Sequence, residues 1–152
     1  MFVSAFQPDT GESTGELNAR WPGSKLGEDT MLVRLYPGGR DLYLRPECFA
    51  EVYAADLPAA TVARMAATQR PVDPAALGEA FTGTPTWRER RSWTLVSTHD
   101  DSLPVSAQRA MAERAGSSVV EVAASHASPV SQPSAVAALV RQAAAARTVP
   151  VR

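Results

Sequence analysis

Apolar positions along the chain change their period twice. Phe2-Val3-Ser4-Ala5-Phe6 is a short, partly β-branched apolar run stopped by Pro8-Asp9, the pattern of a buried core strand. Residues 7–30 are rich in turn formers, with room for one short helix from about Ser13 to Trp21. Two alternating runs follow, Met31 to Tyr36 and Asp41 to Leu44, joined by Pro37-Gly38-Gly39-Arg40, and together they predict a hairpin. The period then turns helical. Pro46 opens a helix bearing Phe49, Val52 and Tyr53. Asp56-Leu57-Pro58 opens a second, with Val62, Met65 and Ala66 on one face, and Asp73-Pro74 caps a third that ends near Ala80.

The last third alternates between the two periods. Ser92 to Thr98 reads as a strand, followed by the polar run His99-Asp100-Asp101-Ser102. Pro104 opens a helix through Ala115, with Gly116 as its C-terminal stop. Ser118 to Val122 is a second strand, followed by the loop Ala124-Ser125-His126-Ala127. Pro133 opens a final helix carrying Val136, Leu139 and Val140, and the tail from Thr148 to Arg152 is expected to fray. Strand, helix, strand, helix with short links predicts an α/β fold with parallel strands.

Composition narrows the classes of function. The chain has 152 residues, enough for one ordinary domain with a real core, and its 45% hydrophobic and 20% charged residues are near globular averages. With 15 Lys+Arg against 16 Asp+Glu the formal charge is −1, which argues against nucleic acid or an anionic membrane as the main partner. Cys48 is the one cysteine, so neither an intramolecular disulfide nor a thiolate zinc cage is expected, and two histidines in all make a His99-Asp100-Asp101 metal site improbable. No cofactor is expected. The opening residues Met1 to Phe6 lack a basic n-region, which makes the cytoplasm the default compartment. Trp21, Trp87 and Trp93 are expected to pack rather than stack on a ligand, and Cys48 to serve as a small hydrophobe.

The candidate chemistry lies in two loops. In open α/β sheets ligands gather beyond the carboxyl ends of the strands. Asp100 follows one strand and His126 follows the next, so neighbouring parallel strands would bring them together. A carboxylate there can accept the imidazole Nδ1–H, fix the tautomer and stabilise the imidazolium formed when Nε2 takes a proton. The plain alternatives are an Asp in the first turn after a strand and a solvated loop histidine.

These residues also resemble a family. Leu95 through Pro104, then Gln108-Arg109-Ala110-Met111-Ala112, Ala124-Ser125-His126 and Val130-Ser131-Gln132-Pro133 look like the end of an α/β-hydrolase. The subgroup is the bacterial esterase-like proteins akin to plant methyl-ester esterases and hydroxynitrile lyases. Phe49 through Pro58 and Met65 through Pro71 resemble the helical cap of that subgroup, and Ala5-Phe6-Gln7-Pro8-Asp9 resembles its sixth strand leading into the cap. The resemblance implies a partial α/β-hydrolase fold: parallel strands with helices, plus a mostly helical cap containing a hairpin. It divides the chain into a core strand and exit loop (1–10), a cap region (11–86) and a C-terminal strand-helix-strand-helix core (87–152). It implies Asp100 as the catalytic acid, His126 as the catalytic base, and a small carboxylic ester or other apolar small molecule as the partner.

Two departures from the family pattern matter. Where members usually carry a bulky apolar pair after the residue that follows the histidine, this chain has Ser128-Pro129. The family's first half, with five strands, the nucleophile turn and the loop that donates half of the oxyanion hole, has no counterpart in these residues. Gly11-Glu12-Ser13-Thr14-Gly15 does fit G-x-S-x-G, and Ser13, Asp100 and His126 even come in hydrolase order. Ser13 is nevertheless rejected as the nucleophile. No core strand runs directly into it, since Gln7-Pro8-Asp9-Thr10 intervenes, and no small-residue helix start follows it. The chain alone is therefore expected to be incompetent as a hydrolase. The alternatives are a non-catalytic small-molecule binding protein and a truncated gene product. An apolar strand at Phe2–Phe6 with one neighbour missing is expected to dimerise, to bind a complementing N-terminal half, or to aggregate.

Overall fold

The structure, a computed structural model, describes residues 1–146. The tail expected to fray from Thr148 lies outside them. In chain order the elements are β1 (Phe2–Val3), α1 (Thr14–Arg20), β2 (Met31–Tyr36), β3 (Gly39–Leu44), α2 (Phe49–Tyr53), α3 (Ala59–Thr68) and α4 (Pro74–Gly78). The second part adds β4 (Trp93–Ser97), α5 (Val105–Arg114), β5 (Ser118–Val122), α6 (Ser128–Ser131) and α7 (Pro133–Ala146). Single 3₁₀ turns at Pro46–Cys48 and Thr86–Arg88 complete the chain.

β1, β4 and β5 form a parallel sheet in the order β1-β4-β5. β4 is the middle strand, which is why Thr94 to Ser97 are all buried, the hydroxyls of Thr94 and Ser97 included. Its register sets Phe2 opposite Thr94 on one side and Trp93 opposite Ser118 on the other. α5 connects β4 to β5, and both α5 and α7 pack on β4. Leu95 and Leu139 are almost fully buried there, each contributing about 1.5–3 kcal/mol relative to exposure.

β1 is shorter than its apolar run suggests. The run from Phe2 to Phe6 predicts a full strand, but the ladder ends at Val3, with a last bond from Ser4 N–H to the Leu95 carbonyl. Ser4 turns the backbone into the left-handed region (φ 44°), and no strand survives that turn. The conformation is offset by two buried hydrogen bonds of 2.7 Å that its hydroxyl shares with those of Ser97 and Ser128. The open edge expected over Phe2–Phe6 is thus confined to Phe2 and Val3.

The segment between β1 and β4 has its own core. β2 and β3 pair from Met31–Leu44 to Tyr36–Gly39 around a tight Pro37-Gly38 turn. Gly38 takes φ +93°, which the turn asks of a glycine, whereas a Cβ on Gly39 would meet the far end of the exposed Tyr36 side chain, which can swing aside. β3 carries one further bridge, Leu42 to Val72, which nothing in the local pattern announces. Leu44, Phe49, Val52, Val62 and Ala66 form a cluster that joins the hairpin to α2 and α3, and Ala127 from the loop after β5 packs into it. A second cluster, Leu17, Leu103, Ala107 and Met111, ties α1 to α5. Among the described residues no helix is long and apolar enough to cross a membrane.

Candidate functional site

Parallel pairing runs past the ends of β4 and β5. Thr98 N–H bonds the Val122 carbonyl at 2.9 Å, and His99 N–H bonds the Ala124 carbonyl at 3.0 Å. The two following loops are thereby held side by side. Asp100 lies in one and His126 in the other, and His126 Nδ1 is 2.8 Å from Asp100 Oδ2.

Asp100 is a fully engaged carboxylate. Its side chain has no exposed surface, Oδ1 accepts the backbone N–H groups of Ser102 (2.9 Å) and Leu103 (2.8 Å), and Oδ2 accepts Gln108 Nε2 (2.8 Å) as well as His126. An acceptor-only carboxylate opposite Nδ1 selects the neutral tautomer protonated there, which leaves the Nε2 lone pair free to receive a proton. The imidazole keeps 21% of its surface exposed, so it is reachable.

α2 braces the imidazole from the other side. Tyr53 meets His126 edge to face, with ring centroids 4.8 Å apart, and its carbonyl accepts Ala127 N–H at 3.0 Å. Burial, with the Asp100 charge adding to it, pushes the Tyr53 phenol up, so it stays protonated. The loop is also tied to the segment that follows α2: the Ser125 hydroxyl donates to Asp56 Oδ1. Burial alone would raise the Asp56 carboxyl, but the hydroxyls of Ser125 and Ser131, with the backbone N–H groups of Ser125 and Asp56, outweigh it and hold the group below its ordinary value.

His126 opens onto a cavity of about 510 Å³. Phe6, Met31, Leu44, Phe49 and Met65 are among its walls, and Arg70 is the charged side chain among them. A second cavity of about 490 Å³ borders α1 and shares Phe6, Leu26, Met31, Leu42 and Leu77 with the first. A mostly apolar space of this size, with the imidazole, the Tyr53 phenol and Arg70 on its wall, suits a small, largely apolar ligand.

Ser13 lies elsewhere in the chemistry of the fold. It is the N-cap of α1 in a capping box: its hydroxyl accepts Glu16 N–H at 3.2 Å, and Glu16 Oε2 accepts Ser13 N–H at 3.2 Å. β1 ends at Val3, so no strand delivers Ser13 to a sharp turn, and Ser13 is not on the wall of the cavity that His126 lines. Ser128-Pro129, in the place of the bulky pair, opens the short helix α6.

Gln108 and the Ser4-Ser97-Ser128 hydroxyls are parts of this site that spacing alone does not reveal. One sequence signal could have pointed to Gln108. It shares the inner face of α5 with Ala107, Met111 and Ala112, and a polar side chain on an apolar helix face must find buried partners.

No curated protein matches the chain significantly. Solved structures do. A polyneuridine aldehyde esterase superposes with a TM-score of 0.69 at 22% identity, covering 93% of this chain and 60% of that one. A pyrethroid hydrolase from Sphingobium faniae superposes with a TM-score of 0.65 at 19% identity, covering 92% of this chain and 58% of that one. This chain thus spans about three fifths of the length of these proteins, and at such identities the likeness shows the fold. A family model described as "Alpha/beta hydrolase family" matches residues 2–139, nearly the whole of the described structure, and the chain belongs to that family.

Proposed function

We propose that this chain carries the proton-transfer half of a serine hydrolase acting on small, apolar carboxylic esters. The observation that supports this most is the 2.8 Å contact between His126 and a buried, fully hydrogen-bonded Asp100 at the wall of an apolar cavity. In the complete enzyme His126 Nε2 takes the proton of an attacking serine hydroxyl, Asp100 stabilises the imidazolium, and His126 then returns the proton to the leaving alkoxide. The serine and most of the oxyanion hole come from residues outside this sequence, as a complementing N-terminal half, and the chain by itself lacks turnover. Residues 11–86 act as the cap that selects the acyl or alcohol group, between the core strand of 1–10 and the catalytic loops of 87–152. The ester chemistry named for the polyneuridine aldehyde esterase agrees with this reading. The expected setting is the cytoplasm.

The test is complementation. The chain is mixed or fused with a family N-terminal half bearing a G-x-S-x-G serine, and p-nitrophenyl butyrate hydrolysis is followed. Turnover that His126→Ala removes supports the proposal. Ester binding without turnover in every such assembly sinks it in favour of a second reading, which the apolar cavity also supports: a non-catalytic small-molecule binding protein.

A further inference from the structure

Gln108 is only 1% exposed, yet every polar atom of its side chain has a partner. Its oxygen accepts the Ser97 N–H at 3.1 Å. Its amide nitrogen donates to the Leu103 carbonyl at 2.9 Å and to Asp100 Oδ2 at 2.8 Å. A flipped amide would set oxygen against two acceptors and N–H against a donor, so its orientation is fixed by its surroundings.

The chain of buried contacts does not stop there. Ser97, whose N–H holds Gln108, bonds through its hydroxyl to Ser4, and Ser4 bonds to Ser128, each at 2.7 Å. Ser128 lies two residues beyond His126. A chain of hydrogen bonds therefore runs from Asp100 through Gln108, Ser97 and Ser4 to Ser128, which follows His126 closely along the backbone, drawing on β4, α5, α6 and the turn after β1.

We infer that Gln108 is a positioning residue for the Asp100–His126 pair, a role that rests on the proposed reading of that pair as the proton-transfer site. Asp100 Oδ1 is fixed by two backbone N–H groups. Among the described residues Oδ2 has two donors, the Gln108 amide and the His126 imidazole, and they share its charge. Gln108 thereby stops the carboxylate rotating away from Nδ1 and moderates how strongly Oδ2 draws the Nδ1 proton. The other titratable groups around the pair include Tyr53 on the imidazole, Arg70 on the wall of the same cavity, His99 beside Asp100 in the chain, Asp56 through Ser125, and Asp101, which is paired with Lys25.

Nuclear magnetic resonance of the 152-residue chain tests this without turnover. With His99→Gln in place to isolate one imidazole, the Gln108 side-chain amide lines should move with pH in step with protonation of His126. In Gln108→Met, the His126 Nδ1–H line should shift downfield, because Oδ2 then serves a single donor. Gln108 lines that stay still through the His126 titration overturn the proposal, whether or not the methionine variant folds. So does a folded variant with an unmoved Nδ1–H line and only a lower melting temperature, the mark of a purely structural glutamine. Coupled lines in a chain that never yields an esterase would refute the hydrolase reading and leave this one standing; an active assembly with uncoupled Gln108 lines would do the reverse.

Discussion

Lys25 Nζ lies 2.9 Å from Asp101 Oδ2 and 2.8 Å from Glu51 Oε1. The carboxylate next to Asp100 in sequence is therefore held at the surface by a lysine, while Asp100 faces the imidazole. The hydrogen bonds from Lys25 to Glu51 and then to Asp101 raise the lysine further above its ordinary value, so it stays charged throughout the useful pH range. In a completed hydrolase, Asp100→Asn should lower kcat/KM by about 10²–10⁴-fold with the fold intact, because a tautomer and an imidazolium lose their support. Asp101→Asn should leave kcat/KM within a few-fold. The reverse ranking in steady-state kinetics would show that the wrong carboxylate has been assigned.

Ser13 provides a contrast between stability and chemistry. Loss of its capping box in Ser13→Ala should destabilise the protein by about 1 kcal/mol. Denaturant unfolding measures that. Ester turnover in a complemented enzyme should be unchanged, and a dead Ser13→Ala enzyme with normal stability would restore the Gly11–Gly15 motif as the nucleophile site.

Acid should loosen the junction between the loop after β1 and α5. Glu12 Oε1 is shared by Arg114 and Arg20, at 2.9 and 2.8 Å, and Oε2 accepts Asp9 N–H at 2.9 Å. The Arg114 contact, opposed by burial and helped by the other two, brings the Glu12 carboxyl down from 4.5 to about 2. The folded value is depressed, so its contribution is complete above about pH 4.5 and is lost as pH falls towards 2. Melting temperatures recorded across that range should fall less steeply in Glu12→Gln than in the parent. Parallel curves would remove Glu12 from the acid response.

Phe2 and Val3 pair with β4 on one side and with no strand on the other among the described residues. Such an edge accepts another strand, though Ser4 limits it to two residues. Light scattering should therefore show association that grows with concentration, and amide exchange at Phe2 and Val3 should be fast in dilute samples. A stable monomer with slow exchange at both residues would mean that the edge is already covered.

A core substitution sets the scale for these effects. Leu95→Ala removes a side chain with no exposed surface from the middle strand and should cost about 2–5 kcal/mol. Thermal unfolding gives the value, and a loss under about 1 kcal/mol would mean that β4 is not the centre of the core.

Much of the architecture was legible because it is written within a few residues. Proline or aspartate openings mark α3, α4, α5 and α7, and Gly116 takes φ +56° just after α5. The runs that became β4 and β5 were bounded almost to the residue. Asp100 and His126 could be named because each follows a strand, and parallel neighbours end at one edge of the sheet.

Sequence pattern by itself determined the kinds of element, their order, and the loops that hold the acid and the imidazole. Tertiary structure decided what those loops touch. The bridge from Leu42 to Val72, the turn at Ser4 that shortens β1, and the amide of Gln108 on Asp100 depend on partners chosen across the fold. Ser4 finds Ser97 and Ser128 from 93 and 124 residues away. Local periodicity carries no information at such separations. A buried polar group takes whichever partner packing brings within 3 Å, and only the assembled core fixes which one that is.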